Sequence, residues 1–331
     1  MRVLITGATG FIGSALCKAL CGDGHQVAAF HRPTSTISSI SALSLTRLIG
    51  DLTDGDSVEQ AVAAFRPEVI FHLGAQMSAA PTVNRIMQVN VMGTRSVLLA
   101  ALRHGVSRVI LMSSATTLGM PETTRRGSQA AGLLNEARVQ GSDAQLWPFA
   151  RSKYLAEMEA QSAATGGMDI VIVNPFMVIG PGDWYRRKSS LLIQAKADPP
   201  LLMIQGGINV ISVGDTVTGL IHACRYGKSG ERYLLCGENV TYPHFFELCG
   251  KAAGFDAPRL LYENETISRL MVKFGMERNL RIECLEGSLF QYANRYFYYN
   301  PKKSRVGLHL PPPENLETTI RETYHWFEEN V

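Results

Sequence analysis

Three glycines near the start of the chain are spaced for phosphate chemistry. Residues 3–13 read V-L-I-T-G-A-T-G-F-I-G, so an apolar β-branched run leads into Gly7-x-x-Gly10-x-x-Gly13. At a strand-to-helix junction the first glycine permits the tight turn and the second lets the backbone approach a pyrophosphate. The third lets helix and strand pack closely. The helix then offers free N–H groups and the positive end of its dipole to the phosphates. A bare glycine triplet is a weak sign, but at the first junction of a βαβ unit it points to a dinucleotide. The competing reading is a glycine-rich turn with no ligand.

The second predicted strand ends Phe30-His31-Arg32-Pro33-Thr34-Ser35. A site for NAD usually has Asp or Glu here to bind the ribose 2′-OH. None is present, and Arg32 sits where it can meet a 2′-phosphate. NADP(H) is therefore expected over NAD(H), against the alternative of an exposed arginine after a strand.

These residues need a scaffold. Short β-branched runs predict strands at 2–6, 26–30, 47–49, 69–73, 108–112 and 169–173. Helical patterns fall between them at 12–21, 56–65, 84–104 and 148–164. Apolar runs without alternation suit strands buried on both faces, hence a parallel sheet. Strand–helix repetition of this kind reads as an α/β, doubly wound parallel sheet. After Pro175 the pattern loosens. The turn signal Gly180-Pro181-Gly182 precedes a helix at 189–197, a strand at 209–213, a helix at 215–226, a strand at 232–236 and a helix near 242–253. The expected division is a nucleotide-binding domain at 1–175 and a smaller mixed α/β substrate lobe at 176–331. Elements such as the strand at 209–213 are candidates to rejoin the main sheet.

Composition agrees with this scale. A chain of 331 residues suits two domains or one α/β fold with an added lobe. Hydrophobic residues at 46% and charged residues at 18% exclude a disordered chain. The net charge of +3 is too small for a nucleic-acid binder, and the basic runs Arg125-Arg126 and Arg186-Arg187-Lys188 read as solvated loops. No apolar run is long enough to span a membrane, and the start lacks a signal-peptide pattern. Six scattered cysteines without a C-x-x-C pair suggest reduced thiols and a cytoplasmic location. No spacing of His, Cys, Asp or Glu suggests a metal.

The glycine loop and the segments after it resemble the extended short-chain dehydrogenase/reductase (NAD-dependent epimerase/dehydratase) family. The matching segments are Gly50-Asp51-Leu52-Thr53-Asp54, Phe71-His72-Leu73-Gly74-Ala75, Asn90-Val91-Met92-Gly93-Thr94, Ser113-Ser114-Ala115-Thr116-Thr117-Leu118-Gly119 and Asn174-Pro175. Gly230-Glu231-Arg232-Tyr233 and Gly237-Glu238-Asn239 resemble its dihydroflavonol-reductase-like branch. The resemblance implies a Rossmann domain and a cofactor site of Gly7, Thr9, Gly10, Phe11, Ile12, Gly13, Arg32, Asp51, Leu52, Leu73, Gly74, Ala75, Asn90, Ser113, Lys153 and Pro175. It also implies a small, fairly apolar carbonyl or hydroxyl substrate. A homodimer through helices 84–104 and 148–164 goes with it.

One position departs from the family pattern. Its Tyr-x-x-x-Lys falls on Trp147-Pro148-Phe149-Ala150-Arg151-Ser152-Lys153, so Lys153 is kept and Phe149 takes the tyrosine position. In the family the phenol exchanges the substrate proton, the lysine tunes the phenol and holds the ribose, and a Ser/Thr, here Ser114, bonds the substrate oxygen. General acid–base catalysis contributes typically ~10²–10⁴-fold, so ordinary ketone reduction should suffer. Tyr154 lies about 140° round the helix from Phe149 at 3.6 residues per turn, facing away. Three explanations stand: an engineered Tyr-to-Phe variant, a natural turn to elimination, isomerisation, cyclisation or carbon–carbon bond formation, and a non-catalytic NADP-responsive binding protein.

His72 reads as a satisfied core histidine rather than a base. Asp183, Trp184, Tyr185 and Arg186, with the tract Gln76-Met77-Ser78-Ala79-Ala80, are candidate borders of a substrate pocket or plain exposed loop.

Overall fold

The computed structural model describes residues 1–77, 82–122, 132–138, 147–184, 190–200, 202–260, 280–282, 285 and 289–330. Its main sheet is built from β1 (Arg2–Thr6), β2 (Gln26–His31), β3 (Thr46–Ile49), β4 (Val69–His72), β5 (Arg108–Met112) and β6 (Ile170–Pro175). A further strand from the C-terminal half completes it, described below. Helices α1 (Phe11–Gly22), α2 (Gly55–Phe65), α3 (Val83–Met87), α4 (Gly93–Arg103) and α5 (Pro148–Thr165) connect them. A π-helical turn at Gln88–Met92 joins α3 to α4, where the periodicity predicts one continuous helix.

The two faces of this sheet explain its apolar strands. Val3, Ile5, Val27, Ala29, Val69, Phe71, Ile110, Val171 and Val173 pack on the side of α1. Leu4, Ala28, Phe30, Ile70, Val109, Leu111, Ile170 and Ile172 pack on the other side, with residues of α2, α4 and α5. Successive residues alternate between two buried faces, so no polar alternation survives in the sequence.

The C-terminal half supplies β7 (Met177–Ile179), α6 (Leu191–Ala197), β8 (Leu202–Met203), β9 (Gly207–Ser212), α7 (Val213–Tyr226), β10 (Arg232–Leu235), β11 (Glu238–Thr241), α8 (Tyr242–Ala253), β12 (Arg259–Leu260), β13 (Tyr296–Phe297), α9 (Lys302–Gly307) and α10 (Leu316–Asn330). The main sheet runs β10-β6-β5-β4-β1-β2-β3, with every pair parallel. The segment that rejoins it is thus 232–235. The predicted strand at 209–213 lies instead in a smaller mixed sheet, where β9 pairs with β7, β11 and β13. That lobe has its own core of Phe176, Tyr242, Phe245, Phe246, Phe297, Tyr299 and Tyr324. Among the described residues no helix is long and apolar enough to cross a membrane.

Strand order reverses at β1, whose neighbours are β4 and β2. The loops after β1 and β4 leave in different directions there, opening the crevice where such sheets take ligands. The glycines permit the close packing beneath it. Gly7 has φ +69°, and a Cβ on it would stand 2.7 Å from the Gly74 amide nitrogen. A Cβ on Gly13 would stand 2.1 Å from the Gly7 carbonyl oxygen. Gly13→Ala is therefore expected to lower stability by about 1–3 kcal/mol through overpacking. Gly22→Ala, at the open end of the same helix with no atom within 4 Å, should be neutral or stabilising. Thermal unfolding of the two variants checks this, and a Gly13→Ala protein as stable as Gly22→Ala would contradict the packing argument.

Candidate active site

The crevice is a cleft of about 390 Å³. Gly7, Thr9, Gly10, Phe11, Ile12 and Gly13 line it from the glycine loop, and Leu73, Gly74 and Ala75 line it from the loop after β4. Helix α1 begins at Gly10 with no side-chain cap and no acidic residue in its first turn. Its opening N–H groups and dipole therefore suit an anion. A Cβ on Gly10 would meet only the Gly7 carbonyl oxygen, at 3.2 Å, so the bare backbone there is open to close approach. The loop has the cradle a pyrophosphate needs.

Toward β2 and β3 the lining is polar. Arg32 is exposed at the rim, with His31 and Ser35 beside it. His31 donates from Nδ1 to the Arg32 carbonyl at 2.9 Å, and its buried Nε2 has no partner. Asp51 and Leu52 follow β3. The Asp51 carboxylate accepts from the Thr53 amide at 2.9 Å and hydroxyl at 2.8 Å, and pairs with Arg85 at 3.3 Å. Partial burial raises its pKa, but the Thr53 hydrogen bonds and the Arg85 guanidinium together hold it below the usual carboxylate range.

At β5 the cleft reaches Ser113, Ser114, Phe149, Lys153 and Pro175. Phe149 and Lys153, one turn apart on α5, share a helix face. Phe149 is buried in the lobe's apolar core. Lys153 Nζ donates to the Met112 carbonyl at 2.8 Å, and burial pulls its pKa down to about 8 against the opposing pull of Glu157. Ser114 Oγ accepts from the Thr116 hydroxyl at 2.9 Å and amide at 3.3 Å. Its own proton is left to donate to a ligand oxygen. Ser113 Oγ is buried with no partner. Tyr154 does not line the cleft, and among its described lining residues none is a tyrosine.

Behind the wall lie two residues with structural work. His72 is buried between Thr6 Oγ1 at 2.7 Å and Thr94 Oγ1 at 2.9 Å. Thr94 donates to the Asn90 carbonyl and Thr6 Oγ1 accepts from the Gly74 amide. The network thus assigns the His72 proton to Nε2. Burial, then the nearby Lys153 charge, lowers its pKa to about 3, so it is neutral and spent on packing. Asn90 stands behind the cleft lining, on the π-helical turn, with its amide bonded to the Gln76 backbone, at 2.7 and 2.9 Å, and to Ser152 Oγ, at 2.8 Å. It shapes the cleft mouth by holding Gln76.

Gln76, Met77 and Asp183 also line the cleft. Trp184 instead packs edge-on against Trp326 at 4.9 Å. Ser78, Ala79, Ala80, Tyr185 and Arg186 lie outside the described residues. Sequence reasoning missed Ser35, Arg85, Val89, Met112, Phe176 and Val178. Only Phe176 and Val178 had a signal, following directly on a strand that ends at the cleft. Among the described residues no cluster could hold a metal ion.

Comparison with known proteins agrees with this geometry. A family model described as the NAD dependent epimerase/dehydratase family matches residues 3–236. A Synechocystis sp. protein provisionally named dihydroflavonol 4-reductase is 27% identical over 337 residues, 98% of this chain and 94% of its own. Sterol demethylase protein B of Methylococcus capsulatus is 30% identical over 262 residues, 78% of this chain and 77% of its own. The crystal structure of gox2253 matches with a TM-score of 0.80 at 29% identity, covering 99% of this chain and 98% of that one.

The depressed Lys153 pKa carries a stability consequence. In the unfolded chain lysine titrates near 10.5, in the folded protein at about 8. Below pH 8 both states are charged and the full cost of burying the ammonium is present. Between 8 and 10.5 the folded state sheds its proton first, so stability rises with pH. Lys153→Met is expected to stabilise the protein near pH 7 by about 2 kcal/mol, net of the lost hydrogen bond. The gain should pass through zero between pH 8 and 10.5 and end as a small loss, that of the missing hydrogen bond, above it. Denaturant unfolding across this range checks it, and a difference that does not vary with pH would contradict it.

Proposed function

The chain belongs to the NAD dependent epimerase/dehydratase family, and from there we propose that it binds NADP(H) and transforms a small, largely apolar carbonyl or hydroxyl metabolite without a phenolic proton donor. The observation carrying this reading is the continuity of one cleft from the glycine loop to Ser114, Phe149 and Lys153. The pyrophosphate would lie on Gly10 and the α1 N-terminus, with Asp51 toward the adenosine. Arg32, with Ser35 beside it, would face a 2′-phosphate, where no carboxylate competes. Lys153 would hold the nicotinamide ribose. Bound, the nicotinamide would supply or accept a hydride.

Ser114 would orient the substrate oxygen, with Thr116 fixing its hydroxyl so that the donated proton points into the cleft. Phe149 would present a ring edge and no exchangeable proton. Phe149, Phe176, Val178 and Met77 make the lining beside Ser114 apolar, which supports a substrate with much carbon surface. The names of the two relatives, a dihydroflavonol and a sterol enzyme, support the same class. A second reading follows from Phe149 itself: elimination, isomerisation or cyclisation, in which Lys153 and Ser114 handle charge and no phenol is needed. The homodimer expected through helices 84–104 and 148–164 is supported by exposed Met92, Leu99, Leu102 and Met158. A monomer in sedimentation would remove it.

Restoring the phenol tests the reading. On a panel of apolar ketones with NADPH, Phe149→Tyr is expected to raise reductase turnover at least about a hundredfold. An unchanged rate would contradict a latent reductase, and deuterium incorporation from solvent without NADPH oxidation would then favour the isomerase or lyase reading.

A further inference from the structure

We propose that Glu157 is the positioning residue of this site, one buried carboxylate that fixes the Ser114 backbone and sustains the positive charge of Lys153. It stands one turn beyond Lys153 on α5 and is 1% exposed. Its Oε1 accepts from Asn174 Nδ2 at 2.6 Å and lies 3.0 Å from the Thr117 hydroxyl. Both donors also reach the Ser114 carbonyl, Asn174 at 3.0 Å and Thr117 at 2.9 Å. Asn174 has two amide protons and serves both acceptors, whereas the single Thr117 hydroxyl proton serves one at a time, so the carboxylate holds the serine's backbone through Asn174. Flipping the Asn174 amide would set its oxygen against the carboxylate, so the assignment is fixed by charge.

The other oxygen, Oε2, pairs with Arg232 Nη1 at 3.4 Å. Arg232 belongs to β10, the strand that the C-terminal half contributes to the main sheet. Three of its other donors go to the Glu136 carbonyl, at 3.0 and 2.7 Å, and the Arg138 carbonyl, at 2.9 Å. The ion pair therefore ties the helix carrying Lys153 to the second half of the chain. Removing one partner of a buried pair leaves the other charge uncompensated. Glu157 stands one helical turn from the buried ammonium, and its charge opposes the desolvation that pulls Lys153 toward its neutral form.

The titratable groups around Lys153 are Glu157 on its own helix, Arg232 beyond it on β10, neutral His72 on β4 and Asp183 lining the same cleft. Asp51, after β3, and Arg85, on α3, line the same cleft and pair with each other at 3.3 Å. His72 does not titrate near neutrality, so Glu157 and Arg232 are the pair whose removal should move Lys153, and in opposite directions.

The consequence for catalysis rests on the proposed cofactor reading, but the test does not. Protein carrying ¹³Cε-lysine, without cofactor, is titrated by NMR, with Lys153→Met identifying the resonance. Glu157→Gln keeps shape and acceptor but loses the charge, and is expected to lower the Lys153 midpoint by about one pH unit or more. Arg232→Gln frees Glu157 from its guanidinium and is expected to raise it. Thr117→Val, which leaves both charges, should not move it. A role confined to packing would shift Glu157→Gln and Arg232→Gln the same way or not at all, and either result overturns the proposal. If Glu157→Gln does not fold, Arg232→Gln decides alone: a raised midpoint supports the proposal and a lowered or unchanged one refutes it. Failure of the cofactor reading would appear in nucleotide binding and leave these midpoints untouched.

Discussion

The site depends on how closely the backbone turns after β1 and β4 approach each other. A Cβ on Gly7 would collide with Gly74, and one on Gly13 would collide with the Gly7 carbonyl. Only because both positions lack side chains can α1 start just after the end of β1, with its first turn lining the crevice. The same closeness brings the β4 loop over the cleft floor, where Thr6, His72 and Thr94 lock it from behind. Asn90 then fixes Gln76 at the mouth. Each later feature of the cleft is hung on that crossing.

The far end is governed by buried charge. Lys153 lies inside the protein with the Met112 carbonyl as its hydrogen-bond partner and the Glu157 carboxylate one helical turn away, and the helix face it shares with Phe149 holds no phenol. In water an ammonium would be indifferent to such neighbours. Under burial each partner counts, because the desolvation cost is large and the compensating groups are few. The Glu157–Arg232 pair brings that balance under the influence of β10. The same strand that closes the sheet also carries the counter-cation of the site, so the two halves of the chain are linked through electrostatics as well as packing.

Much of the first half was legible in the residues. Strands buried on both faces appear as unbroken β-branched runs, and β1, β5 and the start of α5 lie where the pattern sets them. The glycine spacing announced the crevice before any topology was known, and Ser114, Phe149 and Lys153 do line one cleft. Sheet membership in the second half was not legible. The runs at 209–213 and 232–236 are similarly apolar, and composition does not say which of them joins β6. The π-helical turn that carries Asn90 was not legible either, because periodicity does not reveal such a turn. Arg85 gave no signal at all, since its partner Asp51 is 34 residues away.

The account's central claim is that the cleft takes a dinucleotide and reads its 2′-phosphate with Arg32. The most direct measurement titrates the purified protein with NADPH and NADH by nicotinamide fluorescence, beside Arg32→Gln, and identifies any nucleotide carried through purification. The account predicts tight NADPH binding, NADH binding at least about tenfold weaker, and loss of that preference in the variant, in keeping with a charge-assisted phosphate contact. Equal binding of both nucleotides would contradict the role of Arg32, and no binding of either would reduce the glycine loop to scaffold.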